Sequence, residues 1–241
     1  MRLHRNVLGL AAALAATLSM SGGLVTAAGS PASESLTKLK AGNARFVASP
    51  EDALPVDGAK RTALAKGQTP FASILSCADS RVPPEIVFHT GLGDLFVVRA
   101  AGNITDKAIL ASIEYSVEHL NVPLVVVMGH ESCGAVAAAV DTPVGQSLGP
   151  NLDYLLAAIR PSVKATASRP AGERMRAAIL ANVEQTLNEM VTGSHLLREF
   201  AGKGKVQFVG AYYELASGQV YFSEPVILAP AGEGHTLGGH N

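Results

Sequence analysis

Apolar residues recur along this chain on two different periods. Short, mostly apolar runs at Phe71–Ser76, Leu95–Arg99, Pro123–Met128 and Val206–Leu215 are bounded by Gly, Pro, Asp and Lys and read as strands. Leu95–Arg99 is expected to be a second buried strand, and Pro123–Met128 is apolar throughout, as strands covered on both faces are. Ser217-Gly218 turns the fourth run toward Val220-Tyr221-Phe222, an expected antiparallel hairpin partner. The remaining segments follow a helical period. Ser33-Glu34-Ser35-Leu36 opens a helix that runs to about Ala48, with Leu36, Leu39, Ala44, Phe46 and Val47 as a broken stripe and Ser49-Pro50 as its stop.

Ala53–Lys60 reads as loop, and Lys60–Lys66 as a short helix closed by Gly67. A proline starts another short helix ahead of Ile86, Val87 and Phe88. Ala100-Ala101-Gly102-Asn103 is a tight loop of small residues. Thr105-Asp106 then caps a helix to about Leu120 that places Ile109, Ile113 and Val117 on one face. A further helix begins at or just after Cys133 and continues through Ala139. Leu152–Val163 and Arg174–Phe200 are also helical in period, with Pro161 and Pro170 between them. Strand–helix alternation predicts an α/β fold: one domain, with a mainly parallel central sheet flanked by helices. The first helix precedes any strand, so it is either an arm across a partner subunit or an ordinary surface helix.

The two ends change this picture. Arg2, His4 and Arg5 precede an apolar, alanine-rich stretch from Val7 to Leu18, and Val25-Thr26-Ala27 supplies small residues for cleavage. Residues 1–27 are therefore expected to be a signal peptide. The apolar core is too short to span a bilayer comfortably, and neither a lipid-bearing Cys nor a twin-Arg pair accompanies it. The folded domain is expected over 28–230, in the periplasm or secreted, without a membrane attachment after cleavage. Residues 231–241, rich in Gly and His, read as a flexible tail.

With 241 residues, 48% hydrophobic content and no Trp, the chain suits an Ala/Val/Leu-rich α/β domain. Its net charge of -1 and scattered basic residues argue against nucleic acid as a partner.

Chemistry concentrates in two short runs. Cys77-Ala78-Asp79-Ser80-Arg81 follows the first strand, and His130-Glu131-Ser132-Cys133 follows the third. Open α/β sheets place their sites beyond the carboxyl ends of strands, so two neighbouring parallel strands would bring Cys77, His130 and Cys133 together. Two thiolates and an imidazole suit Zn²⁺, and three protein ligands leave a fourth position open. The thiolates cancel the metal's charge, which makes a nearby cation useful; Arg81 is the obvious one. Asp79 and Arg81, two residues apart, are expected to form a bidentate salt bridge beside the metal. Asp79 as a fourth ligand, closing the site, is the alternative. A second alternative follows from export, where two cysteines more often signal a disulfide. His89, His119, His195, His235 and His240 are better read as surface or tail residues than as ligands.

Cys77-x-Asp79-Ser80-Arg81 followed by His130-x-x-Cys133-Gly134 resembles the signature of the β-class carbonic anhydrases, closely over about Phe71 to Val140. Gln68, nine residues before Cys77, Phe96 in Leu-Phe-Val-Val-Arg and Tyr115 in Ile-Glu-Tyr extend the similarity. The resemblance implies zinc-dependent, reversible hydration of CO2 to bicarbonate, with zinc-bound hydroxide oriented by Asp79 and Arg81. It implies that Gln68 acts with them and that Phe96, Tyr115, Ala101 and Gly134 line the substrate pocket, the aromatic pair reaching a neighbouring subunit. A homodimer, or a dimer of dimers, follows from the same likeness. Some relatives carry a Trp three residues before the first Cys in a bicarbonate inhibition site; Ile74 stands here, which suggests the open three-ligand subtype. Hydrolysis of COS or CS2 with the same ligands is a rival activity, and a non-catalytic exported protein with a Cys77–Cys133 disulfide is a rival of another class.

Overall fold

A computed structural model describes residues 29–226. The expected signal peptide and the Gly/His tail lie outside the described residues. Five strands form one sheet: β1 (Ala72–Ser76), β2 (Leu95–Arg99), β3 (Leu124–His130), β4 (Gln207–Tyr213) and β5 (Val220–Pro225), in the order β2-β1-β3-β4-β5. The first four are mutually parallel, and β5 returns antiparallel to β4 with an irregularity between Val209 and Ala211. Helices α1 (Pro31–Ala48), α2 (Gly58–Leu64), α3 (Pro84–Val87), α4 (Lys107–His119), α5 (Gly134–Asp141), α6 (Pro150–Ala165), α7 (Ala171–Gly193) and α8 (His195–Gly202) complete the α/β architecture. Among the described residues no helix is long and apolar enough to cross a membrane.

The strand period of two splits the core across the sheet. Ile74, Val126 and Met128 join one apolar cluster, with Leu39 of α1, Val136 of α5 and Ile159 of α6. Leu75, Val125 and Val127 join the other, with Ile113 and Val117 of α4, Leu187 of α7 and Leu197 of α8. Every residue of β1 and β3 is buried, which accounts for their unbroken apolar sequence. In contrast to the expected buried strand, β2 is half-buried. It forms one edge of the sheet and has a single strand neighbour.

Helix α1 buries one face within its own chain. Its inner face is Ala32, Ser35, Leu39 and Asn43, a shorter and more polar stripe than the pattern suggested, with Val47 left exposed. Asn43 earns its burial by hydrogen bonding: its amide donates to the carbonyls of Val87 and Gly218 and accepts from the Val220 N–H and the Gln219 side chain. The expected helix over Arg174–Phe200 is two helices. Ser194 adopts an extended backbone between α7 and α8, accepts from the Leu197 N–H and donates to Glu114. A side-chain cap of this kind restarts a helix in a new direction. Pro161 lies inside α6 rather than between helices, on its exposed side, where only the bond to the carbonyl four residues earlier is lost.

Candidate metal centre

β1 and β3 are neighbours, with Ser76 in register with Met128, so the residues that follow both strands emerge at the same end of the sheet. Cys77 comes directly after β1. His130 ends β3, and a turn with Ser132 in the left-handed region (φ 53) brings the chain back to Cys133 at the start of α5. There Cys133 takes the N-cap position of α5 with no side-chain cap bond, its sulfur beside the N–H groups of the helix's first turn. The ligating atoms of Cys77, His130 and Cys133 all lie within 4.8 Å of one another, and all three residues are buried.

Two observations show that this cluster fits a metal ion. The sulfurs are 4.0 Å apart and unbonded; a tetrahedral ion with bonds of about 2.3 Å to sulfur separates its sulfurs by about 3.8 Å. His130, fully buried, has Nδ1 at 2.8 Å from the Glu131 carbonyl, so Nδ1 carries the proton and donates it. Its Nε2 lone pair is then buried with no partner in the protein. The bond from Cys133, with help from the Gly102 N–H, pushes the Cys77 thiol well down; the shared bond and burial push that of Cys133 up.

Beside the cluster, Asp79 accepts from Arg81 three times: from Nε at 2.9 Å, from Nη2 at 2.7 Å and from the backbone N–H at 2.9 Å. These bonds hold the Asp79 carboxyl well below the usual carboxylate range. Its Oδ2 is 3.8 Å from His130 Nε2, so a fixed anion faces the ligating atoms. Arg81 also donates to the Ser132 carbonyl at 3.3 Å and thereby ties the two ligand-bearing loops together. A second clamp carries no signal in the sequence. Arg99, at the end of β2, donates to the carbonyls of Cys77 and Asp79, while the Gly102 N–H donates to Cys77 Sγ at 3.3 Å. Arg99 and Gly102 sit in a strand and a small-residue turn with no catalytic pattern of their own, so only the pairing of β1 with β2 reveals them.

Gly134, the first residue of α5, borders open space beside Cys133, and Ala101 stands next to Gly102. Gln68, Phe96 and Tyr115 lie elsewhere. Gln68 precedes β1, whereas Cys77 follows it, and a five-residue strand spans roughly 17 Å. It is exposed in an open groove with Arg61, Leu64, Lys66, Leu92 and Gly93. Phe96 is in register with Ser73, four residues short of Cys77. Its ring is 6.2 Å from that of Tyr115, which is 48% exposed on α4.

An open, mainly parallel sheet with a Cys-His-Cys metal site at the carboxyl ends of its central strands defines a metalloenzyme of the α/β class. A family model described as carbonic anhydrase matches residues 72–220. Carbonic anhydrase 2 of Mycobacterium tuberculosis is 40% identical over 189 residues, covering 78% of this chain and 91% of that protein. Carbonic anhydrase of Mycolicibacterium smegmatis is 40% identical over 185 residues, covering 76% and 88%. Among solved structures, a β-carbonic anhydrase of Aspergillus fumigatus superposes with a TM-score of 0.63 at 28% identity, covering 80% of this chain and 90% of that one. A tetrameric β-carbonic anhydrase of Sordaria macrospora gives 0.62 at 28% identity, covering 68% and 85%. The chain belongs to the carbonic anhydrase family, in its β class.

Proposed function

We propose that this chain is a zinc enzyme that hydrates CO2 reversibly to bicarbonate and a proton. The observation that carries this reading is the unpartnered His130 Nε2 held within 4.8 Å of both cysteine sulfurs, with the Asp79 carboxylate 3.8 Å away. Cys77, His130 and Cys133 would hold the ion, which when bound supplies a Lewis acid that activates water near neutral pH. The protein's own part is orientation. Asp79, kept ionised by Arg81, can only accept hydrogen bonds, so it fixes which way a water or bicarbonate O–H points. The low exposure of Cys77, His130 and Cys133 excludes bulk water from the ligand side.

Phe96 and Tyr115 are too far along the sheet to line the Cys77 site of their own chain, and they surface together at the β2 edge. Their role in the substrate pocket, and that of Gln68, is therefore exercised on a neighbouring subunit in a homodimer or a dimer of dimers. Export to the periplasm or the medium follows from residues 1–27.

The test is CO2 hydration by purified protein of measured zinc content. One zinc per chain with two thiols free after denaturation, and hydration well above background, is the expected result. Zinc-loaded protein without hydration overturns the proposal. N-terminal sequencing of protein recovered from cell fractions tests export, which predicts a mature chain beginning just after Ala27.

A further inference from the structure

We propose that Asn182, in the middle of α7, is a positioning residue for the Cys77 sulfur, acting through the Gly102 peptide. The proposal rests on Cys77 being a metal ligand. Asn182 is 1% exposed, and its Nδ2 donates to the Gly102 carbonyl at 2.7 Å across 80 residues of sequence. The same glycine donates its N–H to Cys77 Sγ. Gly102 has φ 65 and ψ 18, and a Cβ there would come within 2.8 Å of Ile159 Cδ1 and 3.2 Å of Ala135 Cβ. Its backbone conformation is thus restricted to glycine and walled in by α5 and α6. With φ and ψ set, the direction of the carbonyl determines the direction of the N–H. A side chain that holds the carbonyl from one side aims the N–H at the sulfur on the other.

The immediate neighbours of Asn182 show why an amide there is informative. Ile179 and Val183 on the same helix press against β3, and a Cβ on Gly129 would come within 3.0 Å and 2.7 Å of them. Asn182 thus lies on α7 between two apolar residues that pack one position from the ligand His130. Its Oδ1 is buried with no partner in the protein, so the donor Nδ2 is the half of the amide that the fold uses. An unpaired buried oxygen is unfavourable, so the bond from Nδ2 to Gly102 is the polar contact that holds this amide in place. An N–H···S bond withdraws charge from a thiolate and directs its lone pairs, which sets how strongly that sulfur binds a metal.

Metal-substituted protein provides the test. Cadmium-loaded wild type is expected to show scalar coupling from the metal to the Gly102 amide proton, and cobalt-loaded wild type a thiolate charge-transfer band. A wild type with no thiolate band overturns the metal-site reading itself; a normal band without the Gly102 coupling overturns only this proposal. In Asn182→Ala and Asn182→Asp, the coupling is expected to vanish, the band to move to lower energy and metal affinity in chelator competition to fall about 10- to 100-fold. Thr186→Val, equally buried one turn along α7, is expected to leave all three unchanged. An Asn182 variant that matches Thr186→Val in all three readouts overturns the proposal. Loss of fold in both Asn182 variants also overturns it, because the residue is then structural.

Discussion

Arg81 has two attachments that its position in the motif does not separate. Through Nε and Nη2 it grips Asp79, and through Nη2 it reaches the Ser132 carbonyl of the opposite loop. The ligands themselves are held by β1, β3 and the start of α5, so Arg81→Ala should keep most of its metal while releasing Asp79. A freed carboxylate 3.8 Å from His130 Nε2 is close enough to turn toward a bound cation and compete with water. CO2 hydration should therefore fall about 10- to 100-fold at near-normal zinc content, measured by stopped flow and metal analysis on one preparation. An unchanged rate would remove the pair from the mechanism. Cys77→Ser differs in kind, because a hydroxyl replaces a charge-cancelling thiolate: metal and activity should be lost together. Asn43→Ala tests a residue far from this chemistry. It leaves the Val220 N–H and two carbonyls without their buried partner, and equilibrium unfolding should show a loss of about 2–3 kcal/mol.

Among the elements, α7 does most to set the geometry, because its side chains rest directly on the backbone of β3 at Gly129 and of β4 at Gly210. Gly129→Ala would drive a methyl to 2.7 Å from Val183 Cγ2, so the helix must shift; a destabilisation of about 1–3 kcal/mol is expected in urea unfolding. β4 supplies a pH prediction. Burial raises the pKa of Tyr212 and Tyr213 above 10.0, so the folded state favours their neutral form. Their contribution is complete below about pH 10 and is lost as pH rises through the folded values; the thermal midpoint should fall above pH 10, and less steeply in Tyr213→Phe. These elements also show what a sequence can display. β1 and β3 were legible because both faces are covered, which leaves an unbroken apolar run, and the ligands were legible because each follows such a strand. The α7–α8 break at Ser194 was not, since apolar periodicity continues through it and only a side-chain cap marks the change of direction. Arg99, Gly102 and Asn182 were invisible for a related reason: each acts through a backbone carbonyl or N–H, and those groups carry no residue-type signal.

At the scale of the whole molecule, a single chain keeps its metal cluster and the Phe96–Tyr115 pair apart. The metal cluster lies beyond the carboxyl ends of β1 and β3, whereas Phe96 sits four register positions back, paired with the exposed ring of Tyr115. If the aromatic pair completes a neighbour's pocket, two different defects must complement each other. Cys77→Ser removes the metal and leaves the aromatics intact; a Phe96→Ala/Tyr115→Ala double variant does the reverse. Each should be nearly inactive as a homodimer. In a mixed dimer one of the two sites combines an intact metal cluster with intact aromatics, while the other lacks both. Random pairing of equal amounts makes about half of the dimers mixed, so mixing after subunit exchange should restore about a quarter of the wild-type activity per chain. Activity that stays at the sum of the two parents would place Phe96 and Tyr115 outside the partner's pocket. A control mixture of Cys77→Ser with His130→Ala, both defective in the metal cluster, should restore nothing, which separates true complementation from mutual stabilisation of weakened subunits.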